Sequence, residues 1–226
     1  MPYESTITFT LDTICPWTYL GYLRLAKALA QFQDTNPNPP VHFSLKFAPY
    51  QLYPDFSKSG EDKYEWYKKQ KYADDDERMK MYTSYMRALG KTEGIELDFR
   101  GTIANTFDAH RVLGWVQERK GDASAKRCLD SLYSQYFTQQ AHPSSAETLT
   151  KACLDAGLSE HEANTVVQDD SEHAMDTKMM IREQAGNGVD SVPYVVFEGK
   201  RRDFTLTGAK EVAEYIKTME QVAKEV

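Results

Sequence analysis

Alternating apolar and polar residues near the N-terminus predict a strand, a helix and a second strand. Residues 7–11 alternate and are rich in β-branched side chains, which is typical of a half-buried strand. Apolar positions recur at helical spacing over residues 19–30, and residues 41–47 again alternate strictly. Two strands joined by a helix make a βαβ unit, so we expect the strands to be parallel with a right-handed crossover.

Helical patterns dominate the middle of the chain, from about residue 61 to residue 184. Apolar residues recur there at helical spacing, and glycine or polar residues mark several of the ends. We predict helices over residues 64–72 and 74–89, from Asn105 onward, and over residues 123–139, 144–156, 160–169 and 171–185.

Strand signals return after the glycine-rich turn at residues 186–188. Residues 191–197 are apolar and β-branched, and residues 204–207 form a short final strand after a turn. This spacing predicts an antiparallel hairpin. Gly208-Ala209 then opens a last helix with a regular apolar face.

The order β-α-β, then helices, then β-β-α predicts an α/β protein, namely a thioredoxin fold that carries a large all-helical insertion. We expect the first part of the thioredoxin-like domain in residues 1–60, the insertion domain in residues 61–185 and the second part in residues 186–226. A chain of 226 residues is long enough for one domain with an insertion.

Composition and charge exclude several classes of function. The net charge is −7 and there is no basic stripe, which argues against a nucleic-acid partner. No apolar run approaches the roughly 20 residues that a membrane span needs. The N-terminal segment lacks the pattern of a secretory signal. We therefore expect a cytoplasmic protein that does not associate with membranes.

The cysteines divide into two kinds. There are 3 in the chain, widely spaced, and this fits a reducing compartment better than a disulfide scaffold. Cys128 and Cys153 lie within predicted helices among apolar neighbours, so we expect them in the core. Cys15 instead lies directly after a predicted strand, and Pro16 suits the first position of the helix that follows.

This placement makes Cys15 the candidate nucleophile. A helix N-terminus offers unpaired N–H groups and the positive end of the helix dipole, so we expect the reactive thiolate to be stabilised there. The segment Cys15-Pro16-Trp17-Thr18 reads like a redox Cys-x-x-Cys box in which Thr18 replaces the second cysteine. Thr18 cannot resolve a disulfide, but its hydroxyl can donate to the thiolate; the alternative is a threonine on the helix surface. The side chain of Trp17 either forms an apolar wall beside the thiol or packs against neighbouring residues without a role in the site.

Several motifs occur in one order over nearly the whole chain: residues 15–21, Asn105-Thr106 with Ala109-His110-Arg111, residues 132–137, residues 191–193 and residues 206–209. Together they resemble the DsbA-like thioredoxin family, specifically its cytosolic branch with FrnE-type and 2-hydroxychromene-2-carboxylate isomerase-type members. Kappa-class glutathione transferases are near relatives. The chain departs from the FrnE-type pattern at Thr18, where a second cysteine is expected. It departs from the isomerase and kappa pattern at Cys15, where serine is usual.

The resemblance implies residues that bind glutathione or substrate. Pro193 matches a family proline in cis, which would turn the Val192 N–H and C=O toward an extended peptide or glutathione; the alternative is an ordinary edge-strand proline. Asn105 would help to hold glutathione, or it only caps its helix. Pro16 and Trp17 belong to the same predicted set, whereas His110 is either a core histidine or a base.

The segment Thr207-Gly208-Ala209 precedes the last helix, whose N–H groups can hold a carboxylate. In the kappa-like relatives the γ-glutamyl end of glutathione lies in this region, and the alternative is a plain helix cap. No metal-ligand motif is present, so we expect no metal.

Three functions stay open at this point. The first is a monothiol thiol–disulfide oxidoreductase in which Cys15 attacks and external glutathione releases the mixed disulfide. The second is a glutathione-dependent isomerase or transferase that acts on a small apolar electrophile, with Cys15 or Thr18 hydrogen-bonded to the glutathione thiolate. The third is a non-catalytic binding module. The expected partners are glutathione and a disulfide or small-molecule substrate. Members of the resembled family are often dimers, so a homodimer is compatible with this interpretation.

Overall fold

The computed structural model describes residues 2–226, and the chain divides into two compact units. We call residues up to Tyr50 together with those from Met179 onward the thioredoxin-like unit, and residues 51–178 the helical unit. The domain boundaries expected from the sequence, after residues 60 and 185, stay predictions.

Apart from two short strands within the helical unit, the elements follow one another in the order that the sequence pattern predicts. They are β1 (Tyr3–Leu11), α1 (Pro16–Thr35), β2 (Val41–Pro49), β3 (Glu61–Asp62), α2 (Lys63–Tyr72), α3 (Asp76–Thr92), β4 (Thr102–Ile103), α4 (Phe107–Lys120), α5 (Asp122–Thr138), α6 (Ala146–Asp155), α7 (Glu160–Gln168), α8 (Ala174–Gly186), β5 (Tyr194–Phe197), β6 (Phe204–Thr207) and α9 (Val212–Ala223). None of the helices within residues 2–226 is long and apolar enough to cross a membrane.

A four-stranded sheet forms the centre of the thioredoxin-like unit, with the strand order β2-β1-β5-β6. Strands β1 and β2 are parallel over their whole length, from Tyr3 opposite Val41 to Leu11 opposite Pro49. Strand β5 pairs antiparallel with both β1 and β6. The predicted parallel pair and the predicted hairpin are therefore confirmed, as is the α/β thioredoxin fold with a helical insertion.

Close packing against α1 depends on a glycine. A Cβ added at Gly21 would lie 3.0 Å from Pro193 Cγ and 3.4 Å from Ala209 Cα. Such distances leave little room for a side chain, so glycine allows the Pro193 loop and the segment before α9 to approach this helix.

The last helix begins later than the sequence pattern predicts. It starts at Val212 with Glu211 as its N-cap, instead of opening at Gly208-Ala209. Gly208 has a φ of 83°, and its N–H donates to Pro193 O at 2.8 Å. Because this bond continues the pairing of the hairpin, the chain turns for a few more residues before the helix can start.

The helical unit agrees with the predicted pattern to within a few residues at most helix ends. Several of its helices begin at polar side chains that accept a backbone N–H, as Asp75 does for α3 and Ser159 for α7. The pattern missed the pair of strands β3 and β4, which are antiparallel and two residues long each. Such short strands carry no alternation that a sequence can show.

Candidate active site

Cys15 lies at the start of α1, as predicted. It is the N-cap, in an extended conformation with φ −85° and ψ 116°, and Pro16 follows at the first helical position. The Cys15 N–H donates to Asp12 O at 3.1 Å, and the Cys15 carbonyl accepts the N–H groups of Thr18 and Tyr19 at 3.1 and 3.2 Å. The thiol is thus carried by a turn with fixed backbone at the end of β1.

Burial nevertheless opposes ionisation of the thiol. Cys15 is only 5% exposed, and burial raises the pKa of its thiol to about 11. Hydrogen bonds from the Thr18 and Trp17 backbone N–H groups lower that pKa, whereas the Asp12 carboxylate raises it further. The expectation of a stabilised thiolate is therefore wrong for this structure. The loss of solvation raises the pKa of the thiol by more than the N–H groups at the helix N-terminus lower it.

Thr18 is an interior residue and not a helix-surface threonine. It is fully buried, and its hydroxyl lies 2.8 Å from Asp12 O and 2.7 Å from Cys15 O. A hydrogen bond from the same hydroxyl also lowers the pKa of the Cys15 thiol. A hydroxyl has one hydrogen, so Thr18 can serve either a backbone carbonyl or the sulfur at any moment. Its role toward the thiolate stays a prediction.

The Val192–Pro193 peptide bond is cis, as predicted. Val192 O lies 4.0 Å from Cys15 Sγ, so this segment faces the thiol. Within residues 2–226 the Val192 N–H has no hydrogen-bond acceptor, which leaves it available to an added strand. Pro193 O already accepts the Gly208 N–H.

Trp17 stands at the second position of α1 and is 37% exposed. It is the aromatic residue next to the helix start on the chain, and its surface is partly open to solvent. Whether it touches glutathione or a substrate stays a prediction, and so does the same role for Pro16.

The segment Thr207-Gly208-Ala209 offers less to an anion than expected. The Gly208 N–H is already bound to Pro193 O. The helix start itself, three residues on, carries the acidic residues Glu211 and Glu214, and Glu211 Oε1 lies 2.8 Å from Arg24 NH1. The negative charge of these two side chains disfavours binding of a ligand carboxylate at the start of this helix. Contact of Thr207, Gly208 or Ala209 with glutathione stays a prediction.

Asn105 belongs to the helical unit, where it holds a loop. Its Oδ1 accepts from Phe107 N at 2.8 Å and from Gln51 Nε2 at 3.1 Å, and its Nδ2 donates to Pro54 O at 2.7 Å. The backbone N–H of Asn105 donates to Ser57 O. Asn105 therefore accepts the first N–H of α4 from the position before the N-cap Thr106 and holds residues 51–57, while its contact with glutathione stays a prediction. His110, on the same helix, is 3% exposed, as a core histidine would be.

The other two cysteines are core residues, as predicted. Cys128 and Cys153 are fully buried. Burial raises the pKa of Cys128 well above its usual value and that of Cys153 to about 12. All three thiols are free.

Alkylation should label Cys15 before Cys128 and Cys153, because Cys15 has the lowest pKa of the three and the only measurable exposure. At pH 7 its rate should be roughly 300-fold below that of an ordinary exposed thiol, and it should rise about tenfold per pH unit up to pH ~10. Peptide mapping after timed iodoacetamide treatment measures both. Equal labelling of the three cysteines would remove the basis for Cys15 as nucleophile.

Tyr50 makes a contact beside the site that the sequence pattern did not predict. Its N–H donates to Leu11 O at 2.9 Å, and its hydroxyl donates to Asp190 O at 3.1 Å. Burial, followed by the carboxylates of Asp190 and Asp12, raises the pKa of Tyr50. Only the three-dimensional structure shows this contact, since it joins residues 140 positions apart.

One cluster in the helical unit has the residue types of a metal site, although no sequence motif marks it. His173 Nδ1 lies 3.1 Å from Glu118 Oε2 and 3.5 Å from Asp176 Oδ2. A ligating histidine normally donates its other ring N–H to an acceptor, whereas His173 Nε2 is buried with no partner among the described residues. The cluster fits a histidine between two carboxylates better than a metal centre.

Comparison with known proteins agrees with this geometry. The family described as "DSBA-like thioredoxin domain" matches residues 6–220. A probable DsbA oxidoreductase from Streptomyces coelicolor superposes with a TM-score of 0.82 at 25% identity, over 98% of this chain and 91% of that one. No curated protein matches the sequence.

Two further solved structures share the fold at lower identity. One is a 2-hydroxychromene-2-carboxylate isomerase, with a TM-score of 0.68 and 14% identity over 97% of this chain and 96% of that one. The other is the cytosolic disulfide reductase DsbM from Pseudomonas aeruginosa, solved with glutathione, with a TM-score of 0.54 and 12% identity over 97% and 96%.

Proposed function

Since this chain belongs to the DSBA-like thioredoxin domain family, and its solved structural neighbours include a probable DsbA oxidoreductase and an isomerase, we propose that it is a monothiol thiol–disulfide oxidoreductase. Cys15 is the nucleophile and glutathione is the resolving thiol. One observation carries the proposal: the Cys15 thiol at the start of α1 faces Val192 O, beside a cis proline, with Thr18 at the position of a second thiol.

The position of the other cysteines requires an external resolving thiol. Cys128 and Cys153 belong to the helical unit and are fully buried there. The thioredoxin-like unit has no second cysteine. Once Cys15 has formed a mixed disulfide, only a thiol from solution can release it, and glutathione is the abundant thiol of a reducing compartment.

The reaction is the reduction of a glutathione mixed disulfide in two exchanges. The Cys15 thiolate attacks the glutathione sulfur, the substrate S–S bond breaks, and the substrate thiolate leaves and takes up a proton. A second glutathione thiolate then attacks the glutathione sulfur of the adduct. Glutathione disulfide leaves, and Cys15 regains its proton. One mixed disulfide is reduced for each free glutathione consumed, because the other half of the glutathione disulfide is the glutathionyl group of the substrate.

Because the pKa of the Cys15 thiol is raised, the reaction requires a step that ionises this thiol. With a pKa of about 11, only ~10⁻⁴ of the Cys15 thiol is ionised at pH 7. The thiolate must therefore form when substrate docks against the buried thiol. The N–H groups of Trp17 and Thr18 then stabilise the charge on sulfur.

The Val192 N–H, which has no acceptor within residues 2–226, and the Val192 carbonyl beside the thiol form the proposed docking strand for glutathione or a disulfide peptide. Pro16, Trp17, Asn105, Pro193, Thr207, Gly208 and Ala209 complete the proposed set of binding residues. A fold neighbour that was solved with glutathione and is described as a cytosolic disulfide reductase supports both this ligand and a cytoplasmic location. A homodimer stays a prediction.

A glutathione-dependent isomerase is the second candidate. It is favoured by a pocket in the helical unit whose walls include the aromatic residues Tyr53, Phe56 and Trp66 beside the polar residues Asp55, Ser57 and Glu61. Asn105 holds the loop that forms this pocket through the carbonyl of Pro54. An apolar electrophile would fit such aromatic walls, and glutathione itself would then do the covalent chemistry.

Turnover assays on the intact chain separate the two candidates. The protein is incubated with glutathione and either a glutathionylated peptide or a cis–trans isomerisable electrophile. We expect catalysed release of the peptide thiol, with glutathione disulfide formed in equal amount, and no acceleration of isomerisation. Isomerisation or conjugation without peptide reduction would replace the first candidate by the second, and inactivity in both assays would indicate a binding module.

A further inference from the structure

The segment Asp190–Val192 lies against the active thiol with little support of its own. Val192 O is 4.0 Å from Cys15 Sγ. At its ends, Val189 N donates to Gln184 O at 3.0 Å and Pro193 O accepts from Gly208 N at 2.8 Å. Within residues 2–226, the backbone of the three residues between makes only two polar contacts, namely the one with the thiol and a hydrogen bond from Tyr50 to Asp190 O.

The backbone of Tyr50 is held by the sheet, whereas its hydroxyl makes the bond to Asp190 O. It directly follows β2, and its N–H donates to Leu11 O at 2.9 Å, at the last residue of β1. The backbone of Tyr50 is therefore part of the sheet edge from which the chain turns toward Cys15. Its side chain extends from this rigid edge to the carbonyl of Asp190, 3.1 Å away.

The phenol of Tyr50 stays protonated and so remains a donor. Burial, followed by the Asp190 and Asp12 carboxylates, raises the pKa of Tyr50, and Asp12 also raises the pKa of the Cys15 thiol. Tyr50 and Cys15 thus share a neighbour at one end of the sheet. A neutral phenol donates a hydrogen bond over the whole physiological pH range.

We propose that Tyr50 is a positioning residue whose hydroxyl holds the segment Asp190–Val192 against Cys15, and that it thereby governs both access to the thiol and the alignment of Val192 with substrate. The part of the inference that concerns substrate rests on the proposed function. The part that concerns access to the thiol does not.

The test compares Tyr50→Phe with Tyr3→Phe. Tyr3 is a matched control because its hydroxyl also donates to a backbone carbonyl, Gly199 O at 3.1 Å, in the same unit but at the opposite end of β1. Each variant keeps its ring and loses one neutral hydrogen bond. Iodoacetamide labelling of Cys15 is followed against pH, and reduction of a glutathionylated peptide is followed in the same preparations.

In Tyr50→Phe we expect Cys15 to be alkylated roughly five- to tenfold faster at a given pH, the size of effect that one lost hydrogen bond produces. The pH midpoint of labelling should fall, because water reaches the sulfur. KM for the peptide should rise several-fold while kcat changes less than twofold. Tyr3→Phe should match the wild type in all three.

Unchanged labelling in Tyr50→Phe would overturn the inference, as would an equal change in Tyr3→Phe. If the wild-type protein reduces no mixed disulfide, the proposed function fails while the labelling comparison still decides whether Tyr50 covers the thiol. Faster labelling with unchanged KM would refute the alignment of Val192 by Tyr50.

Discussion

Replacing Cys15 by serine should reduce the mixed-disulfide reductase activity by at least ~10³-fold, because a serine hydroxyl is not ionised at neutral pH and cannot form the covalent adduct. The substitution is close in size, so the fully formed start of α1 should persist. Steady-state release of thiol from a glutathionylated peptide measures the loss.

Cys153→Ala is the matched control for this variant. Cys153 is a buried thiol in the helical unit, so its removal should lower stability somewhat and leave the reaction intact. Full activity in Cys15→Ser would show that the sulfur of this chain does not react. Conjugation of an electrophile by that variant would then favour glutathione as the only nucleophile.

Replacing Thr18 by cysteine should convert the protein into a dithiol oxidoreductase. The two positions are the N-cap and third residue of α1, and Thr18 N donates to Cys15 O at 3.1 Å. This spacing permits disulfide closure at a helix start. The variant should form an intramolecular disulfide on oxidation and reduce insulin at a rate well above wild type, which should stop at the glutathione adduct.

Thr18→Ala separates the gain of a thiol from the loss of the hydroxyl. Both variants lose the hydroxyl that donates to either Asp12 O or Cys15 O, at a cost of about 1 kcal/mol in stability, but only the cysteine variant gains a resolving group. Mass spectrometry after oxidation and digestion identifies the disulfide. If the disulfide closes without any gain in insulin reduction, while the wild type isomerises an electrophile with glutathione, the redox function is wrong.

The sequence predicts the fold well wherever an element is long and periodic. Strand β1, helix α1 and strand β2 follow from alternation and helical spacing, and the hairpin of β5 and β6 follows from two apolar runs around a turn. The start of α9 is predicted too early, since the Gly208 N–H is used by Pro193 O and not by a helix. That competition between hairpin and helix depends on tertiary contacts.

The site is predicted in its position but not in its electrostatics. The strand-to-helix placement of Cys15 and the cis bond before Pro193 are both confirmed. The predicted direction of the pKa shift of Cys15 is wrong. A sequence shows that the thiol lies at a helix N-terminus, but it does not show how much solvent the fold removes from the sulfur. The hydrogen bond of Tyr50 was not predicted for a related reason, since its partner Asp190 lies far along the chain.

Trapping the reaction during turnover tests the central claim most directly. The protein is mixed with a glutathionylated peptide and glutathione, quenched in acid, digested and analysed by mass spectrometry. The proposed function predicts one glutathionyl group on the peptide that contains Cys15, none on those that contain Cys128 or Cys153, and loss of the adduct when glutathione is in excess. Turnover with no adduct on Cys15 at any time would contradict it.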